Sequence, residues 1–547
     1  MILIDIYLDH CYPTSMTDTA KTILHSATRF FSGTMLSRVT GMLRDMSMAY
    51  AFGTQSTVAA LLVAFRFAHL LRRVLGEGAM QTALIPHLEH LRKDSSQRAG
   101  RFYCDLSLSL TALLSTIIIV TMLILGGLLS IDFFSTGNAE IAWFTLLMMP
   151  SLLFICLFGI NASLLQCEKS YFIPSAAPIA FNVIWIVGVI CTRNLSSFNA
   201  MSGLSLFIIL ACFAQWALTL PKTYKILIDY GVTHFFKGIK LFSTDVYRLA
   251  APLALGIIGV AAAQINNALD AVFARWADDQ GPALLWYAIR LQQLPLALFG
   301  VALSGALLPP LARAIKGEQF DQFSKFLDYA VSRTLILMIP ITVALFIMGD
   351  ACIALIYGHG DFSNLSVIGT TECLWGYTAG LIPMALILVL APAFYAKGNY
   401  RTPSMASAAS MALNIGLNTI LVAGFDMGAA SIAFATSISA WFNCFWLWRV
   451  LSKDLSGHNT SNLGEWKQIA GVVAVVSCLS AIVVIITDQL LWGSFTPYGI
   501  LIGEYVNYLQ PLSSQIIRLS LSGLIFIVPL ALAYLKTNKK GNSSQRR

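Results

Sequence analysis

The chain has 547 residues, of which 57% are hydrophobic and only 11% charged, and it carries a formal net charge of +8. A water-soluble domain is excluded, because such domains are about 25% charged. The apolar runs of about 20 residues have the length of a membrane-crossing helix and are too uniform for the alternating strands of an outer-membrane barrel. The sequence therefore predicts an all-α polytopic membrane protein.

The apolar runs predict about 14 transmembrane helices, arranged as two parallel six-helix repeats plus two C-terminal helices. The first residues lack the basic segment, apolar core and cleavage site of a signal peptide. The predicted units, in chain order, are an N-terminal extension (1–25), an N-lobe with helices 1–6 (26–222), a cytoplasmic linker (223–243), a C-lobe with helices 7–12 (244–452), helices 13–14 (453–536) and a basic cytoplasmic tail (537–547).

Lysine and arginine are concentrated in every second connection between the predicted helices, and only Arg193 and Arg275 break this alternation. Because basic loops remain in the cytoplasm, both termini should lie on that side of the membrane. The net positive charge is thus explained by topology, and nucleic-acid binding is not required.

Two pairs of segments indicate an internal repeat. "EKSYFIP" matches "KGNYRTP", which pairs Tyr171 with Tyr400 at an offset of 229 residues, and "ALIPHL" (83–88) matches "ALLPPL" (306–311) at an offset of 223. An even number of spans per unit keeps both copies in the same orientation. Parallel repeats of this kind are typical of transporters, whose substrate site lies between the lobes near the membrane midplane.

Three of the arginines within predicted spans are not readily explained by a salt bridge or by snorkelling: Arg38 in the first, Arg72 in the second and Arg290 in the eighth. A central arginine costs about 3 kcal/mol, so three would cost about 9 kcal/mol, comparable to the net stability of a typical domain. They should therefore face a hydrated cavity. Unpaired arginines in such a cavity attract an anion, and the planar guanidinium suits a phosphate or diphosphate.

Other charges of the second span have a simpler explanation. Arg66, Arg73 and Glu77 fall within about 40° of one another on a helix, and Arg73 and Glu77 form an i,i+4 pair. Arg72 points about 120° away from this stripe. A salt-bridged or snorkelling role is favoured for Arg73, with Glu77 as its structural partner.

The motifs "SRVTGMLRD", "HLLRRVLGEGAMQTALIP", "YAIRLQQLPLALFGVALSGALLPPL" and "YAKGNYRTP" resemble the MurJ/MviN lipid II flippase family of the multidrug/oligosaccharidyl-lipid/polysaccharide exporter superfamily, in order along nearly the whole chain. The resemblance implies that the chain moves lipid II, the undecaprenyl-diphosphate-linked peptidoglycan precursor, from the inner to the outer leaflet. The substrate-binding residues that it implies are Arg38, Arg44, Asp45, Arg72 and Arg290.

The resemblance also implies a groove for the lipid tail, formed by residues of about 466–490 and 514–536. Two acids found in many relatives are replaced, by Val58 in the second span and by Gln293 in the eighth. The cavity should therefore hold fewer carboxylates, which puts in doubt any closure mechanism that depends on those two acids.

Some members of the family bind sodium, and the matching positions here are Asp270, Asn414, Asn418 and Thr436. Oxygen donors with one carboxylate suit a hard monovalent cation. The alternative, weighed equally, is a set of hydrogen bonds between helices, which membrane bundles commonly use. The expected cofactor is thus either none or a sodium ion.

The expected mechanism is alternating access in the bacterial inner membrane, driven by the membrane potential, with lipid II and membrane lipids as partners. The sequence contains no motif for hydrolysing ATP or the substrate, so a transporter and not an enzyme is expected. A monomer with a functional link to peptidoglycan synthases is anticipated.

Four alternatives fit less well. A purely structural membrane scaffold leaves the buried arginines without a reason. A flippase for another polyprenyl-linked polysaccharide shares the layout. A cation-coupled exporter would need an acidic cavity. A membrane enzyme acting on polyprenyl phosphates would need clustered acids or histidines, whereas the eight histidines here are dispersed.

Overall fold

The computed structural model describes residues 20–68, 70, 79–232, 240–241, 243–297, 311–317, 319–456, 465–492 and 511–544. Within these residues the chain is helical without any strand, which confirms the all-α prediction. The helices are α1 (Ala20–Phe52), α2 (Ser56–Ala68), α3 (Ala79–Asp94), α4 (Ser96–Ser130), α5 (Thr136–Met148), α6 (Ser151–Cys167), α7 (Phe172–Ala176), α8 (Pro178–Thr192), α9 (Ser197–Ala217), α10 (Leu220–Asp229), α11 (Thr244–Ala277), α12 (Gly281–Pro295), α13 (Phe320–Tyr357), α14 (Asn364–Thr378), α15 (Leu381–Ala396), α16 (Arg401–Asn418), followed by a π-helix (Thr419–Gly424), α17 (Ala430–Ser456), α18 (Glu465–Trp492) and α19 (Leu512–Ser544).

In the described part of the chain, nine helical segments are long and apolar enough to cross a bilayer, or ten if α5 and α6 form one bent span. The prediction of a polytopic membrane protein is confirmed. The count of fourteen is not, and the second and eighth predicted spans include residues 71–78 and 298–310, which lie outside the described residues.

Proline determines several helix boundaries. The axis bends by 48° between α5 and α6, where Pro150 lacks the N–H that would continue the hydrogen-bond ladder. Proline also occupies the first turn of α8, α10 and α12, where its fixed φ angle favours helix initiation.

The internal repeat is visible in the backbone. Helices α6 and α15 are each followed by a residue in the left-handed region, Lys169 with φ 55° and Gly398 with φ 71°. Their numbers differ by 229, the offset that pairs Tyr171 with Tyr400. These two tyrosines then precede α7 and α16 respectively. The same turn is therefore built twice at the predicted spacing.

We call α1–α10 the N-lobe and α11–α17 the C-lobe. The end of the bundle with Gly53, Asp278 and Asp361 is the Gly53 end, and the end with Arg98 and Asp245 is the Arg98 end. The largest buried apolar cluster joins most N-lobe helices to C-lobe residues at the Gly53 end, including Tyr287, Tyr357 and Phe362. A separate cluster around Phe323, Phe394 and Leu447 fills the C-lobe. The lobes thus share a core at the Gly53 end.

The two C-terminal helices are held to the C-lobe by buried charges. Arg518 of α19 donates two hydrogen bonds to the Asp488 carboxylate of α18, and its Nη2 lies 3.9 Å from Oδ2 of Asp350 in α13. Asp350 is only 1% exposed and Asp488 6%. One guanidinium therefore ties three helices together, an arrangement that the sequence analysis did not identify.

Candidate substrate site between the lobes

The Asp45 carboxylate is the point where charges from both lobes meet. Arg44, its neighbour on α1, approaches with Nη2 at 2.7 Å from Oδ1. From α12 of the C-lobe, Nε of Arg290 lies 3.1 Å from Oδ2, and Trp286 donates its indole N–H to Oδ1 at 3.3 Å. Asp45 is 3% exposed, so this ion cluster is buried. Arg44 also donates to Oδ1 of Asn182 on α8 at 3.2 Å. We call these five residues the Asp45 cluster.

The two arginines of the Asp45 cluster are held differently. Arg44 makes aligned hydrogen bonds through Nε and Nη2 and is buried. The Arg290 Nε–H is close to Asp45 but not aligned for a hydrogen bond, and its side chain keeps 32% exposure. Arg290 is therefore the arginine that can turn toward an incoming anion at the smaller cost.

Tryptophan faces surround the guanidinium groups. Cζ of Arg44 lies 4.9 Å from the ring centroid of Trp185, and Cζ of Arg290 lies 4.4 Å from that of Trp286. Phe65 packs edge-on against both tryptophans. Cation–π attraction partly offsets the cost of removing these cations from water. The role of these tryptophans is not evident from the sequence, because aromatic residues are ordinary members of apolar spans.

Arg38 and Arg66 add positive charge in the surroundings of the Asp45 cluster. Arg38 is exposed and lies seven residues before Asp45, on the same face of α1 and about 10 Å away along the axis. Arg66 of α2 is 5.9 Å from the Trp286 ring and donates to the Asn267 carbonyl of α11 at 3.0 Å. The sequence analysis treated Arg66 only as part of a helix stripe, whereas the structure places it between the lobes.

The remaining predictions for the second and eighth spans have mixed outcomes. Arg72, Arg73 and Glu77 lie outside the described residues. Val58 is completely buried in the apolar core, and Gln293 is exposed. Neither replacement therefore supplies a carboxylate to the Asp45 cluster.

The four candidate sodium ligands converge from three C-lobe helices. Asn414 and Asn418 of α16 each donate to Oδ1 of Asp270 in α11, at 2.8 and 2.9 Å. The Thr436 hydroxyl of α17 is close enough to interact with the same carboxylate. Asn266, which the sequence analysis did not select, donates to Oδ2 of Asp270 at 3.3 Å. Asp270 is 5% exposed.

The oxygen atoms around Asp270 could hold a monovalent cation, and they could equally form a network of hydrogen bonds between helices. Oδ1 of Asn414 and Oδ1 of Asn418 are buried without a hydrogen-bond partner among the described residues. A buried oxygen left without a partner costs free energy. Rotating each amide would aim its oxygen at the site of a cation beside Asp270, since O and N positions of an amide are interchangeable by a flip.

Backbone contacts close the Gly53 end. The Asp361 N–H donates to the Tyr50 carbonyl at 3.0 Å, and the Thr54 hydroxyl contacts Gln280 and Ser366 at 2.6 and 2.7 Å. Gly360 has φ 63°, and a Cβ there would lie 2.2 Å from the Tyr50 oxygen. This approach of the lobes requires glycine at position 360.

Gly360→Ala should therefore open the Gly53 end. Spin labels introduced as unnatural amino acids at the exposed positions Asn194 and Leu365 should report a longer and broader distance distribution than in the wild type. Gly398→Ala is the matched control, because it imposes the same left-handed strain with nothing within 4 Å of the added Cβ. Equal distributions in Gly360→Ala and wild type would contradict the closure described here.

The Arg98 end carries an exposed ion pair between the lobes. Arg98 of α4 donates to both oxygens of Asp245 in α11, at 2.9 and 3.2 Å. The Arg98 side chain is 46% exposed, and exposed ion pairs contribute at most about 1 kcal/mol. This bridge between the lobes can therefore break more readily than the buried contacts at the Gly53 end.

Two parallel repeats with an arginine-rich site between them define a membrane transporter. The fold matches the solved structure "Lipid II flippase MurJ, inward closed conformation" with a TM-score of 0.71 and 21% identity, over 93% of this chain and 99% of that one. It also matches an inward-facing multidrug transporter of the MATE family in the MOP superfamily, with a TM-score of 0.62 and 13% identity, over 79% of this chain and 99% of that one.

The sequence comparisons identify the family. The model for lipid II flippase MurJ matches residues 48–503. The "Probable lipid II flippase MurJ" of Chlamydia pneumoniae is 30% identical over 501 residues, 91% of this chain and 89% of that protein. The protein of the same name from Chlamydia trachomatis serovar D is 32% identical over 471 residues, 86% of this chain and 85% of that protein. The chain belongs to the MurJ family of lipid II flippases, which are transporters and not enzymes.

Proposed function

We propose that the chain carries lipid II from the inner to the outer leaflet of the bacterial inner membrane and that the Asp45 cluster receives the diphosphate. The observation that carries this assignment is the convergence of Arg44 and Arg290 on a single carboxylate, Asp45, with Arg66 against the Trp286 ring of the same cluster. Two cations facing one anion leave an excess positive charge that suits a diphosphate.

In the proposed alternating-access cycle, the two ends of the bundle open in turn. We assign the Arg98 end and both termini to the cytoplasm, because the basic connections lie there. The weak Arg98–Asp245 bridge would open to admit the headgroup. The diphosphate would then replace Asp45 as the partner of Arg290, which frees α1 from α12 and allows the Gly53 end to open outward. In this proposed cycle, α18 and α19 hold the polyprenyl tail beside the bundle.

The membrane potential is the proposed energy source. Moving one negative charge outward is worth about 2.3 kcal/mol per 100 mV, and a diphosphate with two uncompensated charges gains about twice that. Collapsing the potential at constant sodium concentration should therefore slow flipping. An unchanged rate of flipping under that condition would contradict a potential-driven mechanism.

A sodium ion is the proposed occupant of the Asp270 site, held by Asp270, Asn414, Asn418 and Thr436. Bound there, it would neutralise the buried carboxylate. Arg66 interacts electrostatically with Asp270 and also contacts Trp286 of the Asp45 cluster. A change of charge at Asp270 would therefore change the electrostatic environment of the Asp45 cluster through Arg66.

Sodium should stabilise the purified chain against thermal unfolding relative to potassium, by about 2.7 kcal/mol when its concentration is 100 times the dissociation constant. Asp270→Asn should remove this difference. If the four residues only join helices, Asp270→Asn will lower the stability equally in both salts and the wild type will show no preference for sodium.

Binding of the lipid tests the substrate assignment. Native mass spectrometry of the purified chain should show lipid II bound more tightly than undecaprenyl monophosphate. Arg290→Gln should weaken lipid II binding about tenfold or more, because hydrogen bonds to charged groups contribute about 1.5–3 kcal/mol. Tighter binding of a different polyprenyl-linked glycan would favour a polysaccharide flippase.

A monomer, functionally linked to peptidoglycan synthases, is the proposed working unit.

A further inference from the structure

A cavity of about 260 Å³ lies at the Gly53 end and belongs to neither site described above. Its walls come from both lobes: Ser47 and Tyr50 on α1, Ile190 and Arg193 at the end of α8, and Tyr357 and His359 at the end of α13. None of these residues belongs to the Asp45 cluster, and Tyr357 alone among them interacts electrostatically with the Asp45 carboxylate. The cavity therefore has its own set of side chains.

The charge of this cavity is positive. Arg193 supplies this charge, and the lining includes no carboxylate. Arg193 and Arg275 are the two residues that break the alternation of basic loops. Arg275 has internal partners, with Nη2 at 3.5 Å from Asp279 and a hydrogen bond to Ser56 at 3.1 Å. Arg193 is exposed and contacts no carboxylate in the described part of the chain, so an external anion would suit it.

Most of the remaining lining residues are apolar, and this apolar surface continues onto exposed side chains outside the cavity. Tyr50 is 52% exposed and Ile190 61%, and Val187 extends the same exposed face of α8. A ligand that matches both the positive charge of Arg193 and the apolar surface has an anionic head and apolar chains. The cavity is smaller than the roughly 300–1,000 Å³ of sites for drug-sized ligands. It suits a phosphoglycerol headgroup, whereas the disaccharide-pentapeptide of lipid II is too large.

We propose that this cavity binds an anionic phospholipid of the outer leaflet, with the lipid phosphate on Arg193 and the acyl chains along α1 and α8. The leaflet assignment rests on the orientation given under the proposed function. Such a lipid would span both lobes where Tyr50 already accepts the Asp361 N–H. Its binding would therefore stabilise the closed Gly53 end.

Thermal unfolding of the full-length purified chain in detergent tests this site. Phosphatidylglycerol should raise the unfolding temperature more than phosphatidylcholine with the same acyl chains. Arg193→Gln should weaken the apparent affinity for phosphatidylglycerol about tenfold or more. Arg193→Lys should keep most of that affinity, and Arg449→Gln, which changes an exposed arginine of α17, should keep all of it.

Each possible outcome is decisive. Equal stabilisation by both phospholipids, or an equal effect of phosphatidylglycerol on wild type and Arg193→Gln, would overturn the proposal. Stabilisation through Arg193 by lipid II, without any effect of phosphatidylglycerol, would show that the cavity receives the substrate and not a phospholipid. Arg290→Gln separates the two sites, because it should lose lipid II binding and retain the response to phosphatidylglycerol.

Discussion

Arg290→Ala is expected to lower lipid II flipping at least about tenfold in vesicles that carry an imposed membrane potential. The variant removes the only C-lobe guanidinium that contacts Asp45 in the described structure, and the hydrogen bonds that it would donate to the diphosphate contribute about 1.5–3 kcal/mol. Flipping can be measured by the accessibility of labelled lipid II to a membrane-impermeant quencher. Arg449→Ala, on the exposed face of α17, is the matched control and should flip normally.

Asp45→Asn distinguishes the two roles of the Asp45 cluster. It removes the anion that competes with the diphosphate for Arg44 and Arg290, so lipid II binding should be retained or become tighter. Flipping should nevertheless fall, because the lobes lose a charged contact that closes them. Normal flipping in both Arg290→Ala and Asp45→Asn would show that this cluster has only a structural role.

Arg518→Ala is expected to produce the largest loss of stability, about 3–5 kcal/mol, because it leaves Asp488 and Asp350 buried without their shared guanidinium. The unfolding temperature of the purified chain measures this effect. Helices α18 and α19 should also become accessible to limited proteolysis before the rest of the bundle, since Arg518 ties them to α13.

The matched control for Arg518→Ala is Asp454→Asn. Asp454 lies 3.8 Å from Lys397 and its side chain is 49% exposed, so its loss should change the stability by less than about 1 kcal/mol. Arg518→Lys should recover part of the stability. An Arg518→Ala variant that unfolds at the wild-type temperature would show that the buried charges do not hold the C-terminal helices.

Much of the architecture could be predicted because it follows from local patterns. Apolar runs predicted the helices, and the pairing of Tyr171 with Tyr400 predicted a repeat whose turns are found at Lys169 and Gly398. The resemblance of "SRVTGMLRD" to a known family selected Arg44 and Asp45 before any contact was known.

The contacts that span long sequence separations could not be predicted from one chain. Asp350, Asp488 and Arg518 lie in three different apolar runs, and no periodicity relates them. Trp286 was inconspicuous because aromatic residues are ordinary in apolar spans, and its contact with Asp45 depends on how the lobes meet. Arg66 was grouped with Arg73 and Glu77 by helical angle alone, and that grouping gave no indication of its neighbour across the lobes.

The most direct measurement is rescue of bacteria depleted of their own lipid II flippase. Lipid II exposed on the outer leaflet would be scored by its cleavage with an externally added lipid II-degrading enzyme, at matched expression of each variant. The wild-type chain should restore cleavage, and Arg290→Ala should not. A well-expressed wild-type chain that restores no cleavage would contradict the assignment of lipid II as the substrate.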